Sequence, residues 1–390
     1  MSVIVPTSLV GARSPIYVTA PYSALAGSLT DVTLKVFIWN GARGTRPTLP
    51  EYTLFRDVFA GNDVSFDISP MVQEYLSNSY TGFDVEDVSN VPNNSVVWVQ
   101  IDFIVNYINK ADPPVTINDT GSSDIFEASN GYHNFTEGAN KQWSTGFLNN
   151  TTVKYVKDSG SEILSAYIGE FGGGYDDLLY ARFSNDGGDD VNFDLTSYLG
   201  NTQAEGRILT LPCGITNLTA WLITEGEPLN YTTYYDIKLL NSAYETLDSI
   251  RIYPTCESKY TPSVIRYINK YGVWDSIYFF KRSDNNLSTT SEQYRRSIGT
   301  SGASGFSYSI TEDKYKTFNT NGKTRTTLNT NWVAEEYKVA MEELLLSERV
   351  MLDGVPVNVV TNSLVLQKSI NDKTINYTIE VEEAFDTRYV

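Results

Sequence analysis

Val97-Trp98-Val99-Gln100-Ile101-Asp102-Phe103-Ile104-Val105-Asn106-Tyr107 sets Val97, Val99, Ile101, Phe103, Val105 and Tyr107 at every second position. Successive side chains of a strand point to opposite faces, so this spacing buries one face of a long β-strand. Upstream, Asp31-Val32-Thr33-Leu34-Lys35-Val36-Phe37-Ile38-Trp39 alternates in the same way and stops at Asn40-Gly41, a tight-turn dipeptide. Near the other end, Ile375-Asn376-Tyr377-Thr378-Ile379-Glu380-Val381 is apolar on odd positions and polar on even ones. Composition points the same way. Aromatic residues make up 13%, with 27 Tyr against 4 Met, and residues rich in Tyr, Thr, Asn, Ser and Gly favour strands and turns over helices. The fold class expected is mainly β, with two or more sandwich- or barrel-like domains and few short helices.

The 390 residues are enough for two or three domains with substantial cores. The pattern divides them into an N-terminal β-module over 1–130, a loop-rich second β-module over 131–205 and a C-terminal β-rich domain over 206–390. Val64–Ile68 reads as a strand handing over to a short helix, with Ser69 as its N-cap and Pro70 at its first position. Val191–Leu199 echoes that pattern weakly. From Asn134 to Gly160 the chain is polar and turn-rich and reads as loops. In the C-terminal domain strands are expected at Ile208–Leu211, Leu218–Thr224, Tyr231–Leu240, Asp248–Tyr253, Val357–Thr361 and Leu364–Lys368. A hairpin is expected from Ser263–Ile268 into Tyr271–Arg282. One helix is expected over 332–347, capped by Thr330 or Asn331, with Val333, Tyr337, Ala340 or Met341, and Leu344 as its apolar stripe. The polar tract 283–305 reads as an arm that orders against a neighbour.

Function classes narrow by charge and by missing chemistry. The 29 Lys and Arg against 47 Asp and Glu give a formal charge of −18, a field that repels phosphate backbones, and the linear sequence shows no basic patch. Nucleic acid is therefore not an expected partner. The start Met1-Ser2-Val3-Ile4-Val5-Pro6 lacks the basic and apolar segments of a signal peptide. No window approaches the roughly 20 apolar residues of a spanning helix, so no membrane role is expected. Cys213 and Cys256 read as two structural thiols.

His133 is the single histidine, which excludes a His-rich metal site, and it reads as a surface-loop residue. The glycines of Gly169-Glu170-Phe171-Gly172-Gly173-Gly174 match neither the dinucleotide nor the P-loop spacing. Ser184-Asn185-Asp186-Gly187-Gly188-Asp189-Asp190 is acidic but fails the EF-hand pattern, and reads as an acidic turn with calcium binding the alternative. Trp39, Trp98 and Trp221 are assigned to strands as core residues. The expectation is a protein without catalytic residues, metal or cofactor.

The C-terminal third carries a resemblance. Cys256-Glu257-Ser258-Lys259-Tyr260-Thr261-Pro262, Arg266-Tyr267-Ile268-Asn269-Lys270-Tyr271-Gly272 and Phe279-Phe280-Lys281-Arg282 form one block. It is followed by Leu328-Asn329-Thr330-Asn331-Trp332, by Glu343-Leu344-Leu345-Leu346-Ser347-Glu348, and by Pro356-Val357. Ile375-Asn376-Tyr377-Thr378-Ile379-Glu380 and Ala384-Phe385-Asp386 close the series. Together these resemble virion structural proteins of tailed bacteriophages, particularly those of Bacteroidetes-type hosts, over about 206–390. Ala12-Arg13-Ser14-Pro15-Ile16-Tyr17 and Ile38-Trp39-Asn40-Gly41 resemble modules of similar proteins.

The resemblance implies a non-enzymatic tail or baseplate subunit, akin to distal-tail ring components. Such a subunit is assembled in the host cytoplasm and partnered by copies of itself and other virion proteins. Alternatives are a receptor- or glycan-binding tail protein, with host-surface glycan as partner, and a capsid decoration protein. Tyr271–Arg282 carries apolar side chains on both faces, so Tyr271, Trp274, Tyr278, Phe280 and Arg282 form the candidate subunit interface, against the alternative of a strand buried on both sides in its own domain.

Overall fold

The computed structural model describes residues 3–21, 27–58, 63–80, 82–85, 87–90, 95–109, 113–169, 180–185, 190–195, 208–224, 231–257, 259–361 and 374–387. The chain is mainly β, built from several open sheets with few short helices. Among the described residues no sheet closes into a barrel. Most of the glycine cluster 169–174, the centre of the acidic turn 184–190, the end of the Val191–Leu199 echo and the expected strand Leu364–Lys368 lie outside these residues.

Packing divides the chain into two units. The first comprises Met1–Cys256, Tyr267–Ile277 and Glu336–Glu348; the second comprises Glu257–Arg266, Tyr278–Glu335 and Arg349–Val390. The boundaries expected after residues 130 and 205 both fall inside the first.

In the first unit the strand announced by Val97–Tyr107 runs Val96–Asn109 and pairs antiparallel with Gly27–Trp39, from Trp39 opposite Trp98 to Gly27 opposite Asn109. Its odd residues Val97 to Val105 are buried with Leu34, Val36 and Ile38 in one apolar core. The opposite face is not plain solvent. Phe37, Trp39 and Trp98 cluster there, each indole N–H donates to a turn carbonyl, Trp98 to Gly41 and Trp39 to Ala42, and the Arg46 guanidinium lies 3.7 Å from the centre of the Phe37 ring. Gly41 has φ +81°, the left-handed conformation that the Asn40-Gly41 dipeptide foretold. The strand Val64–Asp67 passes into a helix Ser69–Gln73 as expected, with Pro70 in its first turn. Ser69 is not the cap, however. The Asp67 carboxylate accepts from both the Ser69 N–H and its hydroxyl, and the N-cap position is Ile68.

Two smaller sheets follow in the same unit. One is ordered Gly146–Phe147, Ile163–Tyr167, Ile208–Pro212 and Ser89–Asn90; the other is ordered Val153–Lys157, Thr246–Thr255, Tyr235–Leu240, Tyr180–Asn185 and Asp190–Asp194. Two expectations need correction here. Asn134–Gly160 is not a loop tract, because it contributes the strands Gln142–Trp143, Gly146–Phe147 and Val153–Lys157.

Leu218–Thr224 is not a strand but part of the helix Ile215–Thr224. Leu218, Trp221 and Leu222 stand three and four apart and are all buried. The β-branched Thr and Ile residues among and around them masked that spacing. Thr219 returns its hydroxyl to the Ile215 carbonyl at 2.5 Å, as a helical Thr does. Trp221 is thus a core residue, as expected, but on a helix: it packs against Phe193 and Phe183 at 4.6 and 5.4 Å between ring centres. Gly214 immediately precedes the helix, and there an added Cβ would lie 2.4 Å from the Glu162 nitrogen, too close for any other residue.

In the second unit Val350–Leu352, Val355–Val359, Thr374–Glu383, Tyr315–Ala334 and Asp284–Arg295 follow one another across one sheet. Ile375, Tyr377, Ile379 and Val381 are buried, as their alternation requires. The expected helix starts later than 332, because Trp332–Ala334 still pair with Thr374–Asn376. A one-turn 3₁₀ segment Glu335–Tyr337 leads into the α-helix Lys338–Leu346. Thr330 and Asn331 do not cap it. Asn331 has φ +76° at a β-bulge, and the Thr330 hydroxyl accepts the Tyr377 N–H at 3.0 Å to hold that bulge. The stripe Val333, Tyr337, Ala340, Met341 and Leu344 is buried throughout.

Candidate functional site

The hairpin from Ser263–Ile268 into Trp274–Phe279 forms as expected. The five residues proposed for a subunit interface have different fates along it. Tyr278 and Phe280 are 5% and 2% exposed, with their rings stacked on each other at 5.7 Å. Tyr271 is half-buried, its hydroxyl donating to Asn150 Oδ1 at 2.6 Å and its ring meeting Trp143 edge-on at 5.1 Å. Trp274 is half-buried, donating its indole N–H to the Ser79 carbonyl at 3.2 Å beside Tyr80. Only Arg282 of the five is exposed, and it pairs with Asp284 at 2.6 Å. Between these residues Asp275, Ser276, Ile277 and Phe279 are buried as well, so the chain itself covers both faces of this strand.

The exposed apolar surface lies elsewhere. The polar tract 283–305 is neither loop nor coil. Asp284–Arg295 pairs antiparallel with the first half of Tyr315–Ala334, from Asp284 opposite Thr327 to Arg295 opposite Tyr315. Its twelve residues, every one exposed, extend ~40 Å at ~3.3 Å per residue. A second small hairpin, Gly299–Gly302 with Gly305–Tyr308, follows it. On this arm Leu287, Tyr294, Phe306, Tyr308, Ile310 and Phe318 are exposed, Ile310 at 92%. Tyr294 and Phe318 meet edge to face at 5.7 Å. Arg295, Arg296, Lys314, Ile298, Phe306 and Tyr308 line one open groove of about 540 Å³. Over 282–325 the chain carries seven Lys and Arg against four Asp and Glu, in a protein of formal charge −18. Arg282, Arg296, Lys323 and Arg325 are paired with carboxylates, but Arg295, Arg296 and Lys314 meet along the groove only when the arm folds back, a local basic cluster that the linear sequence did not reveal.

A second concentration of chemistry is interior and belongs to the first unit. Lys154, on Val153–Lys157, is fully buried with two carboxylates: its Nζ lies 2.7 Å from Asp275 Oδ1 and 3.6 Å from Glu162 Oε2. Burial opposes its charge, but the two carboxylates outweigh that and hold its pKa above the ordinary lysine value. The Cys213 thiol close by is pushed up by burial and stays protonated; Cys256 is exposed. Glu343, on the helix, accepts from Asn150 Nδ2 and is pushed up to about 7, mainly by burial. His133 lies in a loop, as expected, but not on the open surface. It is half-buried with its ring 4.4 Å from that of Trp143, and burial lowers its pKa to about 4.

Among the described residues no group of three His, Cys, Asp or Glu is placed to hold a metal ion, and no helix is long and apolar enough to cross a membrane. No sequence signal marked Lys154, Glu162 or Asp275, since their meeting depends on contacts over 121 residues of chain.

No family model matches the chain, and no curated protein matches it. Among solved structures it is similar to Escherichia coli alpha-2-macroglobulin. In the native conformation the TM-score is 0.20 with 8% identity, covering 84% of this chain and 21% of that one. In the trypsin-activated form the TM-score is 0.19 with 8% identity, covering 85% and 22%. The chain thus spans about a fifth of those proteins' length, and likenesses of this degree carry no argument about fold or function.

Proposed function

We propose that this chain is a non-enzymatic structural subunit of a tailed-phage particle, of tail or baseplate type, that joins copies of itself and other virion proteins through its arm. The observation that carries this reading is the arm 284–318, a hairpin of exposed aromatic and aliphatic side chains with a basic groove, on an otherwise acidic chain. Exposed apolar patches of this kind favour association. Its charge complements the acidic remainder of a second copy, so like chains attract at the arm while repelling elsewhere. Asp284–Arg295 is also the last strand of its sheet and offers an edge for pairing. The resemblance over 206–390 supplies the particle; the arm supplies the means.

Light scattering of the full chain across a concentration series tests the reading. Multi-copy species are expected, reduced to monomer by the double substitution Phe306→Asp and Ile310→Asp, at side chains 71% and 92% exposed, with an unchanged circular dichroism spectrum as the check that the fold is kept. Assembly unchanged by those substitutions would remove the arm from the account. A second reading, glycan binding, is favoured by the same groove, where Phe306 and Tyr308 offer stacking faces. It predicts saturable binding to host polysaccharide that Tyr308→Ala abolishes.

A further inference from the structure

Buried ion pairs stabilise little, because desolvation of both charges offsets their attraction. The Lys154 cluster is odd even by that standard. It holds one cation and two carboxylates, with Lys154 2%, Glu162 0% and Asp275 7% exposed. Glu162 Oε2 accepts the Ser276 hydroxyl at 2.5 Å, yet its Oε1 is buried with no hydrogen-bond partner. Asp275 is held by more than the lysine: Asn149 Nδ2 donates to its Oδ2 at 3.0 Å and the Ser276 N–H to its Oδ1 at 2.7 Å. Tyr267, Tyr337, Tyr235, Cys213 and Glu343, all buried, are neighbouring titratable groups; burial keeps the first four protonated and raises the Glu343 carboxyl as well. An amine in contact with a polarised carboxyl group, a second carboxylate oxygen 3.6 Å from that amine and a buried surround are the components of an amide condensation.

We propose that Lys154 and Asp275 join covalently, the Lys154 Nζ forming an amide with the Asp275 side-chain carbonyl and Glu162 carrying the proton between them. The ion pair is the resting form, and condensation proceeds through its minor neutral form, amine and carboxylic acid, reached when the proton crosses the 2.7 Å contact. The Nζ lone pair attacks Cγ of Asp275. The Asn149 amide N–H stabilises the charge that develops on Oδ2. Glu162 Oε2 takes a proton from the nitrogen and returns it to the departing hydroxyl, so that one water leaves and Glu162 is regenerated. Ammonium plus carboxylate gives amide plus water, with no oxidant, metal or cofactor in the balance.

The product removes a buried ion pair and ties together residues 121 apart in sequence. Lys154 lies on a strand of the sheet that ends at Asp190–Asp194, and Asp275 lies on the hairpin strand Trp274–Phe279. Such a bond cross-links two segments of the first unit against pulling or unfolding, which suits a subunit under tension but does not depend on that reading.

Intact-mass spectrometry of the purified, folded full chain, incubated warm until its mass stops changing and then denatured, tests the bond. The expected mass is one water below the sequence sum, with a branched peptide joining the Lys154 and Asp275 segments after digestion. Branching is what separates this bond from cyclisation at Asp353-Gly354, which loses water without joining peptides. Glu162→Gln, nearly isosteric, is expected to keep its circular dichroism and retain the full sequence mass. A wild-type chain of full sequence mass, or one whose water loss maps to a linear peptide, would overturn the bond. A Glu162→Gln chain that forms the branched peptide at the wild-type rate would overturn the role given to Glu162.

Discussion

Glu343 sits on the helix Lys338–Leu346 with 5% of its surface exposed. Its carboxyl accepts from Asn150 Nδ2, and otherwise only a long 3.5 Å contact from the Lys270 N–H reaches it. Burial raises its pKa from the ordinary 4.5 to about 7, so the native state prefers the protonated acid. The sign follows from proton counts. Below 4.5 both native and unfolded chains hold the proton, and the group costs nothing. Between 4.5 and about 7 the unfolded chain has released it while the native chain has not, so raising the pH favours unfolding. Above about 7 both are ionised and the loss is complete. That gap in pKa corresponds to about 3 kcal/mol.

Glu343→Gln removes the titration while keeping an oxygen for Asn150. Denaturant unfolding of wild type and variant from about pH 4 to about pH 8 is the assay, with fluorescence of the buried tryptophans as the probe. The wild type is expected to lose up to about 3 kcal/mol relative to the variant as the pH rises through that window. Near pH 4 the two should be nearly equal. Parallel profiles across the range would refute the assignment of a buried, protonated carboxyl to this position.

His133 makes the opposite prediction. Its folded pKa is depressed from 6.5 to about 4, so its contribution is whole above 6.5 and fades as the pH falls toward 4. His133→Phe keeps the ring against Trp143 and is expected to flatten that acid-side loss, measured by thermal melts at several pH values. Trp221→Ala empties the space between Phe183 and Phe193, and large-to-small changes at such sites cost about 3–5 kcal/mol. Its denaturation midpoint should fall accordingly, and a shift below about 1 kcal/mol would show that the helix Ile215–Thr224 is not held by this ring.

What was legible in the sequence was period two. Val97–Val105, Val32–Ile38 and Ile375–Val381 stand as they were read, because each buries one face and a single-residue slip would expose the whole set. Helix 215–224 was missed because Thr and Ile outnumber the three residues whose spacing marks it. The arm is expected at 283–305, but its strands are not legible for the reverse reason: both faces of Asp284–Arg295 are exposed, so nothing in its polarity alternates, and its strand character comes from the register with 315–327 alone. The interface assigned to Tyr271–Arg282 rested on residue types, and the same aromatic residues that enrich interfaces also fill interiors. The Lys154 cluster could not be read at all, since a lysine looks solvated until Glu162 and Asp275 are brought to it.

The arm is the central claim, and imaging tests it most directly. Particles of the purified full chain, prepared by negative stain and then by cryo-imaging at concentrations where light scattering shows association, should be closed multi-copy assemblies. In each, density for 284–318 should lie against the neighbouring copy. Monomers at every concentration, or assemblies in which the arms of all copies stand free in solvent, would contradict the account.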